Sequence, residues 1–307
     1  IMGTPLGASA TFIYLFVLFG AFLERTEVGN FFIDFANAIA GHKRGGPAKV
    51  AVLASALEGT VSGSSVANTV GSGSFTIPMM KKLGYRKEFA AAVEATASTG
   101  GQIMPPVMGA AAFLMAESVG VPYMEVVKAA LIPAILYFVG IYIIIEFEAR
   151  KYGLVGMDKK DLPPFLPLIK KQGYLILPLI VIVAFLSMGY TPVFAALVGI
   201  ATCVLCDIIR HLIIGIVGAV EARKERKEKV NAAKIAGDVA VQTGIDIVAS
   251  LDKGSRSVLG VAVACGMAGI IVGMITLTGI GLTLGNSLTA LAGGNQYLTL
   301  IFTMLAS

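Results

Sequence analysis

The chain has 307 residues, of which 56% are hydrophobic and 14% are charged, and its formal net charge is +5. Soluble proteins carry about 25% charged residues, so this composition excludes an ordinary two-domain soluble enzyme. It also excludes a disordered chain, which requires low hydrophobicity. The sequence predicts an all-α polytopic membrane protein.

Apolar stretches of about 20 residues predict membrane-spanning helices. The five clear spans are 7–23, 124–145, 173–189, 192–209 and 257–279. The stretch 88–116 is a sixth and weaker one, because Glu94 and the pairs Gly100-Gly101 and Pro105-Pro106 interrupt it. Since 173–189 is short, we expect tilt or bilayer thinning to accommodate it.

The Lys and Arg residues predict the orientation of these spans, because basic residues concentrate in cytoplasmic loops. If residues 24–49 are cytoplasmic, all but Lys128 of the 24 basic residues fall on the cytoplasmic side. The positive net charge therefore indicates orientation in a membrane and not binding of nucleic acid.

Residues 50–80 are predicted to form a re-entrant hairpin. These 31 residues carry a single charge, Glu58, and are too long for one straight span and too short for two. A single crossing would also put the flanking Lys49 and Lys81 on opposite faces of the membrane. A hairpin that enters from the cytoplasm and returns there satisfies both length and charge.

The tip of this hairpin, residues 60–74, is rich in Ser, Thr and Gly. Broken backbone at membrane depth is tolerated only where it is buried in protein or lines a watery cavity. We therefore predict a binding site at the tip. The alternative is a packing seam, since small residues also allow helices to approach closely.

A second break is predicted at residues 98–106, inside the stretch 88–116. Its tandem prolines remove backbone donors and free the carbonyls one turn earlier. A cation held against the hairpin tip would satisfy those carbonyls, and a kink bonded to neighbouring Ser or Thr side chains is the alternative. Glu94, one turn before the break, is either a functional intramembrane carboxylate or a snorkelling or paired residue.

Enzymatic and transition-metal chemistry is not expected. The two histidines, His42 and His211, both fall in predicted basic loops, and neither a Gly-x-Ser-x-Gly elbow nor a phosphate-binding Gly-x-x-x-x-Gly-Lys-Ser/Thr motif is present. We predict that the protein is not an enzyme and has no covalent cofactor. The mixed-charge run from Glu221 to Lys229 predicts a helix on the inner membrane surface.

A weak internal repeat relates residues 31–41 to residues 282–293. Each copy follows a span, ends in Ala-Gly and precedes a new apolar segment. The first copy is predicted inside and the second outside, an inverted-topology repeat typical of secondary transporters. The sequence predicts three units. Residues 1–147 form a first transport repeat that ends with a span at 124–147, and residues 148–256 form connecting scaffold helices. Residues 257–307 form the start of a second repeat.

Three strings resemble the large membrane subunit of tripartite ATP-independent periplasmic (TRAP) transporters, in particular the fused permease of its TAXI branch. They are Glu58 to Asn68, Thr76 to Met80 with the following Gly84-Tyr85, and Gly101 to Pro106. The resemblance covers essentially the whole chain.

The resemblance implies an elevator-type secondary transporter in the inner membrane that imports an organic acid or related solute with Na⁺ as coupling ion. The implied partners are an extracytoplasmic solute-binding protein and a small membrane subunit or its fused equivalent. The implied sodium site, formed largely by backbone oxygens, consists of Ser62, Ser65, Gly101, Met104 and Pro106. The implied substrate contacts at the hairpin tip are Ser64 and Asn68.

Two parts of the family pattern are expected outside this sequence. The second hairpin should begin just after Ser307, and the small-subunit portion should precede Ile1. We therefore expect a fragment of a longer permease that holds one half of the transport site. The alternatives are an elevator carrier that works without a binding protein and a non-transporting scaffold or channel subunit.

Overall fold

The computed structural model describes residues 3–158, 160, 162–226 and 232–306. All regular structure within these ranges is helical, which confirms the predicted all-α class. A π-helical segment, Ser9–Ile13, joins the first two helices, and single 3-10 turns lie at Gly101–Ile103 and Gly173–Ile176. The α-helices are α1 (Gly3–Ala8), α2 (Tyr14–Arg25), α3 (Val28–Ala40), α4 (Gly46–Ser62), α5 (Ser65–Lys82), α6 (Lys87–Gly100), α7 (Ala110–Val119), α8 (Tyr123–Lys151), α9 (Phe165–Gln172), α10 (Leu177–Ser187), α11 (Pro192–Arg226), α12 (Ala232–Thr278), α13 (Ile280–Leu291) and α14 (Gln296–Ala306).

Five helical segments in the described ranges are long and apolar enough to cross a membrane. They are Pro5–Arg25, Tyr123–Lys151, Phe165–Ser187, Pro192–Ile214 and Ala236–Thr278. Each overlaps one of the five clear spans predicted from sequence, so the prediction of a polytopic membrane protein is confirmed.

Two of these helices extend further than the sequence pattern predicted. The predicted short span 173–189 belongs to a helical segment that begins at Phe165. Its accommodation by tilt or bilayer thinning stays a prediction. Its exposed Lys170 and Lys171, counted as loop residues, lie within the helical segment, where long basic side chains reach water by snorkelling.

Helix α12 is continuous over 47 residues, and the predicted boundary between 256 and 257 falls inside it. Lys253, predicted in a cytoplasmic loop, lies on this helix and pairs with Glu24 at 2.6 Å. The predicted surface segment from Glu221 to Lys229 runs into residues 227–231, which lie outside the described residues.

Residues 46–82 form a helical hairpin with a break of two residues. Gly63 adopts a left-handed φ of +56°, and the Ser64 hydroxyl caps α5 by accepting a hydrogen bond from the amide of Ala67 at 3.3 Å. Asn68 Nδ2 on α5 donates to the carbonyl of Ser55 on α4 at 2.9 Å, so the two helices fold back on each other. The entry of this hairpin into a membrane stays a prediction.

Helix α4 is buried along most of its length. It packs against α3 on one side, through Ala36, Ala40, Val50 and Ala54, and against α5, α6 and α8 on the other. Lys49, predicted as a flanking loop charge, is instead 3% exposed and pairs with Glu146 of α8 at 2.5 Å. The prediction failed because α4 begins at Gly46 and α8 supplies a partner nearly 100 residues away.

The predicted break in 88–116 is present and separates α6 from α7. The backbone passes through the 3-10 turn Gly101–Ile103 and then leaves helical geometry until Ala110. The ring of Phe113, on α7, stacks on Tyr123 with centroids 4.3 Å apart and lies 4.9 Å from the ring of Phe16. This aromatic core fixes the second half of the broken helix against α2 and α8.

The parts of the predicted repeat occur in the same order in both copies. A left-handed residue ends the first long helix at Glu27 (φ 64°) and the later long helix at Gly279 (φ 68°). A short apolar helix follows in each case, α3 or α13, and another helix, α4 or α14, comes next. The inverted orientation of the two copies stays a prediction.

A labelling experiment tests the hairpin topology. In the full-length protein with its native cysteines replaced by alanine, single cysteines are placed at Arg44 and Lys81, both exposed at the base of the hairpin, and at Ser118, exposed near the end of α7. We expect a membrane-impermeant maleimide to label positions 44 and 81 from the same side and position 118 from the other. Labelling of 44 and 81 from opposite sides would contradict the re-entrant hairpin.

Candidate functional site

The two backbone breaks meet through glycine residues. A Cβ atom at Gly59, on the first arm of the hairpin, would lie 2.4 Å from the Cα of Gly101. A Cβ atom at Gly101 would lie 2.9 Å from Asn68 Nδ2 and 2.9 Å from the Cα of Gly59. Since real Cβ atoms do not approach other atoms this closely, only glycine at both positions allows the two backbones to touch.

The hairpin tip also contacts the segment between α6 and α7 at two further points. A Cβ atom at Gly63 would lie 2.0 Å from the Met108 carbonyl oxygen, so the left-handed glycine packs directly on that backbone. Gln102 Nε2 donates to the Ser65 hydroxyl at 2.8 Å. The tip is therefore held against the broken helix on both sides of its turn.

Tyr123 satisfies carbonyls that the break in the helix leaves free. Its single hydroxyl proton is shared between the Pro106 oxygen at 2.8 Å and the Val107 oxygen at 2.7 Å. Sequence reasoning considered a cation or neighbouring Ser and Thr side chains for this purpose and missed Tyr123. The hydroxyl lies at the start of α8, outside the motif.

Asn68 is the most unusual polar side chain at the tip. It is 2% exposed, its Nδ2 donates to Ser55, and its Oδ1 is buried without a hydrogen-bond partner among the described residues. A buried unpaired acceptor costs about 1–3 kcal/mol, so a site that supplies a cation or a donor here would recover that cost.

The seven residues predicted for the site fall into two groups. Three of them, Ser62, Ser64 and Asn68, line a cavity on one side of the hairpin. The other four lie at or near the contact with the broken helix: Ser65, Gly101, Met104 and Pro106. Ser62 was grouped with the predicted sodium ligands, but it faces the cavity together with the predicted substrate contacts.

The cavity has a volume of about 360 Å³ and lies between the hairpin, α2, α3, α12 and the segment before α7. Its polar lining includes Glu24, Asn30, Glu58 and Lys253. Lys253 pairs with Glu24, and both side chains are 57% exposed. Sequence reasoning missed Glu24 and Lys253 because no local motif relates two residues so far apart in the chain.

One group of described side chains has donor atoms close enough together for a metal ion. The carboxylates of Asp207 and Asp246 and the ring of His211 place ligand atoms within 4.8 Å of one another. Arg25 Nε donates to Asp246 at 2.7 Å, and His211 Nε2 lies 2.9 Å from the same carboxylate. Because a guanidinium group already pairs with Asp246, we interpret the group as an ion-pair network that joins α2, α11 and α12.

The predicted position of His211 was therefore wrong. The sequence pattern predicts a basic loop here, but α11 continues to Arg226 and holds the imidazole between the carboxylates of Asp207 and Asp246. The loop prediction failed because Arg210 was counted as the end of the span.

The chain is similar to known transporter permeases. Residues 2–307 match the family model described as "Tripartite ATP-independent periplasmic transporter, DctM component". The C4-dicarboxylate TRAP transporter large permease protein DctM of Pseudomonas aeruginosa is 37% identical over 61% of this chain and 43% of its own length. The sialic acid TRAP transporter large permease protein SiaM of Vibrio cholerae is 24% identical over 68% of this chain and 49% of its own length. The chain thus spans less than half the length of these two relatives.

The glycine contact predicts a sharp loss of stability on adding one methyl group. For Gly59→Ala, we expect the free energy of unfolding to fall by about 1–3 kcal/mol, because the new Cβ overlaps the Gly101 backbone. Gly140→Ala is the control, since a Cβ there meets nothing within 4 Å. Thermal melting of the full-length protein in detergent measures both, and a wild-type melting temperature for Gly59→Ala would contradict the close contact.

Tyr123→Phe tests whether the Tyr123 hydroxyl stabilises the protein by hydrogen bonding to the carbonyls at the helix break. Removing the hydroxyl leaves the Pro106 and Val107 oxygens without this donor, and we expect a loss of about 1–3 kcal/mol. Tyr137→Phe is the matched control, because the Tyr137 hydroxyl bonds to the Thr96 carbonyl in an exposed position. Equal melting temperatures for the two variants would contradict the role given to Tyr123.

Proposed function

Because the chain belongs to the DctM component family of tripartite ATP-independent periplasmic transporters, we propose that the full-length protein imports a small organic acid or related solute with Na⁺ as coupling ion. The chain is a multi-pass component of the inner membrane and not an enzyme. In the proposed function, an extracytoplasmic solute-binding protein delivers the solute, and a small membrane subunit or its fused equivalent completes the permease.

The contact between the two helix breaks carries the sodium part of the proposal. Carboxyl-terminal ends of broken helices offer backbone carbonyls that are not used in helical hydrogen bonds, and such carbonyls coordinate Na⁺ in transporters. Ser62 ends α4 and Gly101 follows α6, whereas Ser65 is the first residue of α5. The proposed ligands are the oxygens of Ser62, Ser65, Gly101, Met104 and Pro106. The Ser65 hydroxyl already accepts from Gln102, and the Pro106 carbonyl already accepts from Tyr123, so both groups are held in place before an ion arrives.

The cavity beside the hairpin supports the solute part of the proposal. Ser64 and Asn68 line it, and Ser64 is the N-cap of α5. The positive end of a helix dipole favours an anionic group at this position. Lys253 adds a cationic side chain to the lining, but it pairs with Glu24, and Glu27 and Glu58 also line the cavity. The proposed acid group would therefore be met by the end of α5 and not by a net positive charge.

The names of the relatives support organic acids as the solute class. Three similar permeases are named for C4-dicarboxylates, sialic acid and 2,3-diketo-L-gulonate. Each is an organic acid, although the three differ in size and in the number of hydroxyl groups. We therefore propose the acid group as the shared feature. Assignment to the TAXI branch stays a prediction from sequence.

An elevator movement is part of the proposal. The hairpin and the broken helix contact each other through backbone and would move as one unit. Helices α2, α11 and α12 are joined separately by the network of Arg25, Asp207, His211 and Asp246 and would form the static part. The cavity lies between these two groups of helices, which is where a carried solute would be exposed in turn to each side.

Uptake into proteoliposomes tests the proposed function. With the full-length protein and its binding protein, we expect solute uptake to require an inward sodium gradient and to be lost without the binding protein. Uptake that persists without a sodium gradient would contradict the coupling. If uptake is the same with and without the binding protein, the result would instead support an elevator carrier that works without a binding protein.

Variants in the same assay test the site. We expect Asn68→Ala to lower uptake by about tenfold, as expected when about 1.4 kcal/mol of interaction is lost, because Asn68 lines the cavity and its amide orders the tip. Ser65→Ala should have a smaller effect if the ligand is its backbone carbonyl. Thr99→Ala is the control, since its exposed hydroxyl bonds to the Ala95 carbonyl of its own helix. Wild-type uptake by Asn68→Ala would contradict the assignment.

A further inference from the structure

Glu94 lies at the centre of a fully buried cluster of polar side chains that the proposed sodium and solute sites do not use. Its carboxylate accepts from Ser72 at 2.5 Å, from Ser98 at 3.2 Å, from Ser55 at 3.3 Å and from Thr76. All five side chains are 0% exposed. Snorkelling of Glu94 to the membrane surface, one of the possibilities considered from sequence, is therefore wrong.

The hydroxyl groups come from three different helices. Ser55 lies on α4, Ser72 and Thr76 lie on α5, and Ser98 lies one turn after Glu94 on α6. Hydroxyl groups alone donate to this carboxylate within the part of the chain that the structure describes, and no basic side chain there lies within ion-pair distance. One carboxyl group therefore ties both arms of the hairpin to the first half of the broken helix.

The same helical faces continue to the contact between the two breaks. On α6, Glu94 and Ser98 are spaced by four and lie on one face, and Gly101 follows three residues later in the adjoining 3-10 turn. On α5, Asn68, Ser72 and Thr76 are spaced by four. On α4, Ser55 is followed four residues later by Gly59. Each of the three helices therefore carries a residue of the Glu94 cluster. One or two turns further along the same face, a residue of the candidate site follows: Gly59, Asn68 or Gly101.

Direct contacts connect the cluster to Asn68. The Ser55 carbonyl accepts from Asn68 Nδ2 at 2.9 Å, while the Ser55 hydroxyl contacts Glu94. The Ser72 hydroxyl lies 2.9 Å from the Asn68 carbonyl. Asn68 Nδ2 in turn lies against Gly101. Moving Glu94 would therefore shift both partners of Asn68.

We propose that Glu94 is a positioning residue: it holds the hairpin in register with the break after α6 and thereby sets the affinity of the cation site. The second part rests on the proposed function. Glu94 does not contact the proposed ligands itself, and its effect passes through Ser55, Ser72 and Asn68. Removing its oxygens takes an acceptor from four buried hydroxyl groups. Ser72 and Thr76 can turn to the backbone carbonyls of Asn68 and Ser72, whereas the Ser98 hydroxyl loses the acceptor that it has in this structure. This loss favours a rearrangement of the two arms.

Sodium dependence of uptake by the full-length protein is the functional test. For Glu94→Ala, we expect the sodium concentration for half-maximal uptake to rise about tenfold, with the maximal rate at saturating sodium largely retained. Glu94→Gln keeps one acceptor oxygen and should give a rise of about two- to threefold. Glu88→Ala is the control, since Glu88 is exposed in the first turn of the same helix. A lower yield or maximal rate with an unchanged sodium requirement would overturn the proposal in favour of a purely structural role.

Hydrogen exchange gives a readout that does not depend on transport. We expect Glu94→Ala, compared with Glu88→Ala, to speed amide exchange in residues 60–68 and 98–104 without changing exchange in α11. Unchanged exchange at the tip would overturn the proposal. If uptake by the wild-type protein proves independent of sodium, the proposed function fails, and the exchange result still decides whether Glu94 holds the hairpin. If Glu94→Ala does not fold, the same two measurements are made on Glu94→Gln and Ser72→Ala, again compared with Glu88→Ala.

Discussion

The architecture depends on one constraint: backbone groups freed by a break in a buried helix need partners inside the protein. In the described part of the chain, the break in the hairpin and the break between α6 and α7 lie against each other. Glycines at 59, 63 and 101 allow the backbones to touch, while Gln102 and Tyr123 donate to groups near the breaks. The close contact that forms the candidate site is therefore also what makes the irregular backbone tolerable.

Much of the fold could be predicted because the bilayer imposes length and charge rules on local sequence. The five spans, the hairpin and the interrupted helix each correspond to a pattern within about 30 consecutive residues. The predicted helix ends are wrong at several basic residues. Lys49, Lys170 and Lys253 all lie within helical segments, because a distant carboxylate or a snorkelling side chain satisfies their charge.

The site was predictable as a region but not as a set of contacts. Composition identified the tip at 60–74, and the resemblance supplied Ser64, Asn68 and Gly101. Neither could supply Tyr123, Lys253 or the hydroxyl partners of Glu94, since these pairs are formed by helix packing between separated segments. The ion pair of Arg25 with Asp246 could not be predicted for the same reason, since the two residues are 221 positions apart in the chain.

Helix α8 joins the two ends of the region that contains the site. Near its start, Tyr123 bonds to the carbonyls after the break, and near its end, Glu146 pairs with Lys49 at the base of the hairpin. At about 1.5 Å per residue, these contacts lie roughly 35 Å apart, close to the thickness of a bilayer core. The outer face of α8 is apolar and exposed, with Ile132 68% and Leu136 64% exposed. If the site is displaced across the membrane, helix α8 moves with it, because it is bonded to both ends of the region. Its exposed apolar face then moves relative to the bilayer, and the surrounding lipid has to deform. The elasticity of the bilayer then contributes to the energy barrier of transport.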